Sequence, residues 1–144
     1  LYRELTRRHG RFLVLDLHSY NHRRAGPLAP PADPAENPQV NIGTGTMMDR
    51  NRWAPLIHRF MADLGSFDFP GGRLDVRENV KFRGGACAAW THLTFPNEAC
   101  VLSVEVKKFF MDEWTGVADD ALVAAVGEAL RSALPGALEE LDRV

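Results

Sequence analysis

The stretch RFLVLDLH, residues Arg11–His18, is the segment that decides the fold class. Its run Phe12–Leu15 is apolar at every position, which is typical of a central strand covered by helices on both faces. Asp16 and His18 then break this run, and the two-residue period of a strand places both on one face. We therefore predict a buried strand that carries a carboxylate and an imidazole to its C-terminal end.

A second strand is predicted at ACVLSVEV, residues Ala99–Val106, with Glu105 among valines near its end. A carboxylate in an apolar strand is costly unless it is paired or associated with a metal. Burial also raises its pKa toward neutrality, which suits a general base. Two plainer interpretations stay open: Glu105 lies on an exposed sheet edge, and His18 is a structural residue at a strand end.

Helical periodicity predicts a helix from about 52 to 64, with Pro55 in its first turn and Gly65 as its stop. We interpret His58, which lies off the apolar stripe of this helix, as a surface residue. The stripe is expected to belong to the core and comprises Trp53, Leu56, Ile57, Phe60, Met61 and Leu64.

A second helix is predicted over Asp119–Leu134, ended or broken by Pro135-Gly136. Glu139–Val144 is either a polar tail or a last helical turn. Short strands are expected at Gln39–Ile42 and Leu74–Val76. Strands that alternate with helices predict a single α/β domain over residues 1–144, with a mixed sheet flanked by helices on both faces.

Composition bounds the class of protein. The chain has 144 residues, 45% of them hydrophobic and 25% charged, which is the balance of an ordinary globular domain. A net charge of −2 gives no basic excess, so no nucleic-acid partner is expected. No apolar run approaches the ~20 residues of a membrane span, so no membrane partner is expected either. The arginines nearest to a basic cluster are interpreted as a solvated face or as local anion contacts, rather than as a polynucleotide site: Arg7, Arg8, Arg11, Arg23 and Arg24.

Cysteine usage and the first residues suggest the setting of the chain. Cys87 and Cys100 have no CxxC spacing, so a reducing cytoplasm is the default expectation. Leu1–His9 reads as the end of a helix already under way, and we expect residues upstream of it.

Two loops have open interpretations. The polar stretch Ser19–Asp33 is either a functional loop or a disordered excursion, and the role of the Asn21–Pro38 loop is open. The GTGT turn at residues 43–46 is either plain turn chemistry or a close approach to a ligand. His22 follows His18 by four, a zinc spacing on a helix, but here the spacing follows a strand and the premise is doubtful.

Four sequence blocks follow one another between roughly Leu13 and Glu113: Asp16–Ser19 (DLHS), Val40–Thr44 (VNIGT), Asn79–Gly85 (NVKFRGG) and Val104–Glu113 (VEVKKFFMDE). In this order they resemble the C-terminal half of the N-formylglutamate amidohydrolase family. That family is distantly similar to zinc carboxypeptidases, in which a His-Ser-Tyr segment like residues 18–20 ends a strand and gives a zinc ligand.

The resemblance implies a zinc-carboxypeptidase-like (phosphorylase/hydrolase-like) fold and a metal-dependent hydrolase. Its small-molecule substrate would be an N-acylated amino acid, with N-formyl-L-glutamate cleaved to formate and glutamate in histidine degradation. It implies His18 as a zinc ligand, Glu105 as the general base and Asp16 as the group that orients His18.

The resemblance also implies a substrate-binding rim formed by Asn79, Arg83, Gly84 and Gly85. An arginine fork suits a substrate carboxylate, which favours Arg83. Arg77 is an equally charged alternative, and a surface role is open for both arginines.

One departure from the family pattern leaves more than one interpretation of the chain open. The upstream His-x-x-Glu and Asp-x-Asn-Arg segments are absent from these 144 residues, and His18 alone cannot hold a catalytic zinc. Either the chain is the C-terminal part of an enzyme, incomplete at its N-terminus and completed by an upstream segment of the same polypeptide, or it is a non-catalytic binding module with the same fold. A different amidase or peptidase on this scaffold is a third possibility.

Overall fold

The computed structural model describes residues 1–144 as an α/β fold built on one mixed sheet. The strand order is β1-β4-β2-β3, with β1 parallel to β4, β2 antiparallel to β4, and β3 parallel to β2. The predicted α/β class with a mixed sheet is confirmed. The elements are α1 (Tyr2–His9), β1 (Phe12–Tyr20), β2 (Val40–Gly43), α2 (Ala54–Ser66), β3 (Val76–Glu78), α3 (Ala86–Thr94), β4 (Ala99–Lys107) and α4 (Asp120–Leu141).

The central strand is β4, and β1 forms an edge of the sheet. Every residue of β4 from Ala99 to Val104 is buried, whereas β1 becomes exposed from Leu17 to Ser19. Within residues 1–144, β1 is therefore an edge strand and not the central strand predicted. The apolar residues of β1 are covered by elements above and below the sheet. Because an apolar sequence indicates only this cover, it does not indicate whether a strand pairs with each side of β1.

One face of the sheet packs on α2 and α4 and forms the main core. Leu102 and Val104 of β4 and Ile42 of β2 are fully buried there. On the other face, Phe12 and Ala99 form a smaller cluster with Phe95 beside α1 and α3. Helices thus lie on both faces, as predicted. The second face becomes polar toward the C-terminal ends of β1 and β4, and the main core does not cover it there.

The α2 helix confirms the predicted apolar stripe, with Leu56, Ile57, Phe60 and Leu64 buried. Gly65 does not stop the helix, which runs on to Ser66. The predicted exposure of His58 is also found.

The predicted break of the last helix at Pro135-Gly136 is wrong, because α4 continues to Leu141. Asp119 caps its start by accepting hydrogen bonds from the N–H groups of Ala121 and Leu122 at 3.0 and 3.1 Å. Past the proline, Gly136 and Ala137 are buried, and Gly136 lies against the side chains of α2. Packing of this small-residue face outweighs the hydrogen bond that proline removes.

Two short elements differ from the sequence expectations. The α3 helix was not predicted, since nine residues with only three buried positions give a weak periodic signal. The third strand is Val76–Glu78 rather than Leu74–Val76.

The last helix, α4, is long and apolar enough to cross a membrane by length and composition alone. A core helix passes the same test, and α4 packs along α2 and contributes four buried alanines to the main core. The expectation that the chain has no membrane partner stays a prediction.

Candidate functional site

His18 and Glu105 stand side by side on one face of the sheet. They are register partners on the parallel strands β1 and β4, so their side chains share a face. Both line a cavity of about 530 Å³ at the C-terminal ends of these strands, where α/β sheets commonly bind ligands. We call this cavity the His18–Glu105 pocket; its remaining lining residues are Ser19, Tyr20, Asn21, Arg23, Arg24, Phe82 and Trp114.

Glu105 presents a carboxylate without protein partners. The side chain is half-buried, and no backbone or side-chain group donates a hydrogen bond to it or pairs with it. Burial raises the pKa of Glu105, and the nearby Asp16 adds to this rise while His18 opposes it. A carboxylate with a raised pKa and free lone pairs is suited to accept a proton.

A hydrogen-bonded chain behind the pocket fixes the imidazole. His18 Nε2 lies 2.9 Å from Asp16 Oδ1, and Asp16 Oδ2 accepts a bond of 3.5 Å from Ser103 Oγ. Asp16 is only 15% exposed, whereas the His18 side chain is 50% exposed. Since donation to Asp16 requires the proton on Nε2, the neutral imidazole leaves Nδ1 as an acceptor or metal-binding nitrogen.

Asn41 supports the pocket from the other side of β4. It is the register partner of Glu105 on β2 and is fully buried. Its Nδ2 donates to the Phe82 carbonyl at 2.8 Å, and its Oδ1 accepts from the Lys81 N–H at 2.8 Å. These bonds hold Phe82 in the pocket wall, edge-on to the Tyr20 ring at 5.3 Å. Sequence reasoning singled out neither Asn41 nor Phe82.

The predicted rim residue Asn79 lies outside the lining of this pocket. Its Oδ1 accepts from the Thr44 N–H at 2.9 Å, and its Nδ2 donates to Thr44 Oγ1 at 2.8 Å. Its backbone is left-handed, with φ of 53°, a conformation that asparagine tolerates better than most residues. Asn79 thus joins the two loops that follow β2 and β3.

The other three predicted rim residues also lie outside the pocket lining, and two of them, Arg83 and Gly84, pack against the turn at residues 43–46. The Arg83 carbonyl accepts from the Gly45 N–H at 2.7 Å, Gly84 lies against Thr46, and Gly85 precedes α3. Their role in substrate binding stays a prediction.

The alternative arginine, Arg77, is engaged elsewhere. Its guanidinium donates to Asp75 at 2.9 Å and to the Ala35 carbonyl at 2.7 Å, and it also contacts the Pro34 carbonyl. These contacts tie β3 to the Asn21–Pro38 loop and leave little capacity for a ligand.

Arg23, Arg24 and Trp114 line the pocket and were not predicted as site residues. Both arginines belong to the group whose sequence interpretation is a solvated face or local anion contacts. The signal that could have found them is their position just after the strand end that carries His18. His22, which precedes the two arginines in the loop, lines a neighbouring cavity, and burial lowers its pKa.

The residues present do not make a complete zinc site. No group of three or more histidine, cysteine, aspartate or glutamate side chains is placed to hold an ion, and a catalytic zinc takes three protein ligands. His18 with its free Nδ1 is a candidate for one ligand only.

The fold is similar to that of a solved amide-cleaving enzyme. The N-formylglutamate amidohydrolase from Ralstonia eutropha JMP134 matches with a TM-score of 0.68 and 18% identity, covering 98% of this chain. The chain spans about half of that enzyme, 47% of its length. This likeness shows a shared fold. No family model and no curated protein matches the chain.

Proposed function

We propose that this chain is part of a metal-dependent hydrolase that cleaves the amide bond of an N-acylated amino acid. Our specific proposal is hydrolysis of N-formyl-L-glutamate to formate and glutamate. The observation that carries it is the unpaired Glu105 carboxylate beside the Asp16-bound His18 in one pocket. The likeness to a solved amidohydrolase supports the same reaction class.

The residues of the chain have the following roles in this proposal. Glu105 accepts a proton from the water that attacks the acyl carbon, and it later delivers that proton to the departing amine nitrogen. Asp16 keeps the His18 ring in one orientation and tautomer through the Nε2 contact. Proton transfer of this kind contributes about 10²–10⁴-fold to a rate.

The proposal includes zinc only if some of its protein ligands come from outside residues 1–144. We propose that His18 contributes one ligand and that an upstream segment of the same polypeptide contributes the others. Two observations support this. The chain spans 47% of the length of the similar enzyme, and β1 offers an open sheet edge next to His18. We also propose a cytoplasmic location, since Cys87 and Cys100 are both free thiols.

The test uses the full-length natural gene product with zinc, and it measures formate release from N-formyl-L-glutamate. Glu105→Gln keeps the shape of the side chain and removes the base, so we expect a rate loss of about 10²-fold or more. Glu128→Gln is the matched control, because Glu128 is exposed on α4 and forms no ion pair. Full activity in Glu105→Gln would remove Glu105 as the base.

The second candidate is a non-catalytic module that binds an N-acyl amino acid. It is favoured by the lack of a complete metal-ligand group among residues 1–144. The full-length gene product with zinc distinguishes the hydrolase from the binding module. Binding of N-formyl-L-glutamate without any formate release, with zinc present, would favour the module.

A further inference from the structure

One wall of the His18–Glu105 pocket is basic. Arg23 and Arg24 line it, and neither guanidinium forms an ion pair or a hydrogen bond with another residue. Glu105 lines the same pocket at the strand ends. A ligand with an anionic end can therefore place that end at the two unpaired guanidinium groups and its other end toward Glu105.

The backbone that carries the two arginines is fixed by a second loop. The Glu113 carboxylate accepts hydrogen bonds from the His22 N–H, at 3.0 and 3.2 Å, and from the Arg23 N–H. Trp114 Nε1 donates to the Arg23 carbonyl at 3.0 Å. Both peptide groups of Arg23 are thus held by residues about ninety positions away in the chain.

The loop that provides these contacts is itself well ordered by local bonds. Asp112 Oδ1 accepts from the Trp114 N–H at 2.9 Å and from the Thr115 N–H at 2.8 Å. Met111 and Ala118 form a bridge across its base. A loop of this kind holds Glu113 and Trp114 in place before any ligand arrives, which lowers the entropic cost of binding.

Resting on the proposed function, we propose that Arg23 and Arg24 bind the carboxylate end of the N-acyl amino acid, and that Glu113 is the positioning residue that holds them at the pocket. Guanidinium groups match a carboxylate through paired N–H donors. Bound in this direction, the substrate presents its acylated end toward His18 and Glu105. This assignment differs from the rim predicted from sequence, in which Arg83 was the favoured arginine.

Binding to the 144-residue chain tests the arginines without requiring turnover. The probes are N-formyl-L-glutamate and its diamide, in which both carboxylates are neutral, measured by isothermal titration calorimetry. We expect Arg23→Gln and Arg24→Gln each to weaken N-formyl-L-glutamate about tenfold, the effect of losing one charge-assisted hydrogen bond. The diamide should bind weakly and equally to all variants. Arg73→Gln, an exposed arginine outside the pocket, is the matched control.

Glu113 is tested as a positioning residue by selectivity and by coupling. Glu113→Ala should reduce the preference for N-formyl-L-glutamate over the diamide. In the double variant, the reduction in preference caused by Glu113→Ala should not add to the reduction caused by Arg24→Gln. Glu113→Gln keeps one acceptor oxygen and should restore part of the preference. If Glu113→Ala fails to fold, the preference for N-formyl-L-glutamate over the diamide is measured in Glu113→Gln and Trp114→Phe instead.

Three outcomes would overturn this inference. They are equal binding of the two probes by the wild-type chain, an equal loss in Arg73→Gln, and unchanged selectivity in the Glu113 variants. The proposed function fails separately. A full-length protein that prefers the carboxylate but never releases formate refutes hydrolysis and leaves the arginine assignment standing. An active enzyme indifferent to both arginines refutes only the assignment.

Discussion

His18 and Glu105 are direct neighbours across two parallel strands, although they lie far apart in the sequence. The pairing is parallel, so both residues arrive at the same end of the sheet, about 5 Å apart at the backbone. Two residues earlier on the same face, Asp16 is the register partner of Ser103, and it also contacts the His18 ring. Two successive register pairs on this face therefore carry the polar groups at the end of the sheet.

We predict that Asp16→Ala in the full-length protein lowers formate release by about 10- to 100-fold, the usual effect of removing the partner of a ligand imidazole. Without the 2.9 Å contact to Oδ1, the His18 ring can rotate and change tautomer. Asp16→Asn should be intermediate. Asp68→Asn is the control, because Asp68 is exposed and its side chain forms no hydrogen bond or ion pair. An unchanged rate in Asp16→Ala would contradict this role.

We predict that Gly43→Ala destabilises the fold by about 1–3 kcal/mol, measured by urea denaturation. A Cβ at Gly43 would lie 2.6 Å from the Gly84 nitrogen and 2.9 Å from the Arg83 carbonyl carbon. Both are backbone atoms that cannot step aside without moving the loop.

The matched control for Gly43 is Gly127→Ala in α4. A Cβ there meets only the end of the Arg131 side chain, at 3.6 Å or more, which is ordinary contact. We expect this variant to be stabilised by about 0.5–1 kcal/mol, because alanine costs less backbone entropy in a helix. Equal effects of the two substitutions would refute the close-contact argument.

The sequence predicts those features that follow from local periodicity. The apolar stripe of α2 and the alternation in β4 each report which face meets the core. The edge position of β1 depends on pairing with β4, which lies far along the chain, and no local pattern encodes it. Pro135 illustrates the same limit, since packing between helices keeps α4 continuous where the local rule predicts a break.

The candidate site divides in the same way. His18 and Glu105 were predicted because they are polar residues at the ends of apolar strands. Arg23, Arg24 and Trp114 were missed because they reach the pocket only through contacts between two loops. Asn41 was missed because its amide function serves the 79–85 loop, whose path no sequence rule gives.

His92 gives a prediction about pH. Its ring is buried, its Nε2 accepts from the Val101 N–H at 3.1 Å, and its Nδ1 lies 3.0 Å from Thr46 Oγ1. Burial lowers the pKa of His92, so below about pH 6.5 the unfolded chain takes up a proton that the folded state resists. Stability should therefore fall as the pH falls through this range, by at most about 1.4 kcal/mol per pH unit for one proton.

The measurement for His92 is the free energy of unfolding between pH 7.5 and 5.5 in the wild type and in His92→Gln, where the pH range brackets the reference value of about 6.5. His22, whose pKa burial also lowers, contributes in both proteins, so the difference in slope isolates His92. We expect a flatter profile in the variant. An NMR titration of the His92 ring gives a second test that needs no variant, and an unshifted midpoint would contradict the prediction.

Zinc binding by the 144-residue chain follows from the number of ligands. His18 offers one free nitrogen, and no further histidine, cysteine, aspartate or glutamate completes a group of three around it. Affinity for zinc rises steeply with each protein ligand, so calorimetric titration should show only weak binding, with a dissociation constant above about a micromolar. His18→Ala should remove what binding there is, whereas His9→Ala, at an exposed histidine outside the pocket, should not. Sub-micromolar affinity at one defined site would mean that these residues suffice for the metal, and the proposal of ligands from an upstream segment would then be wrong.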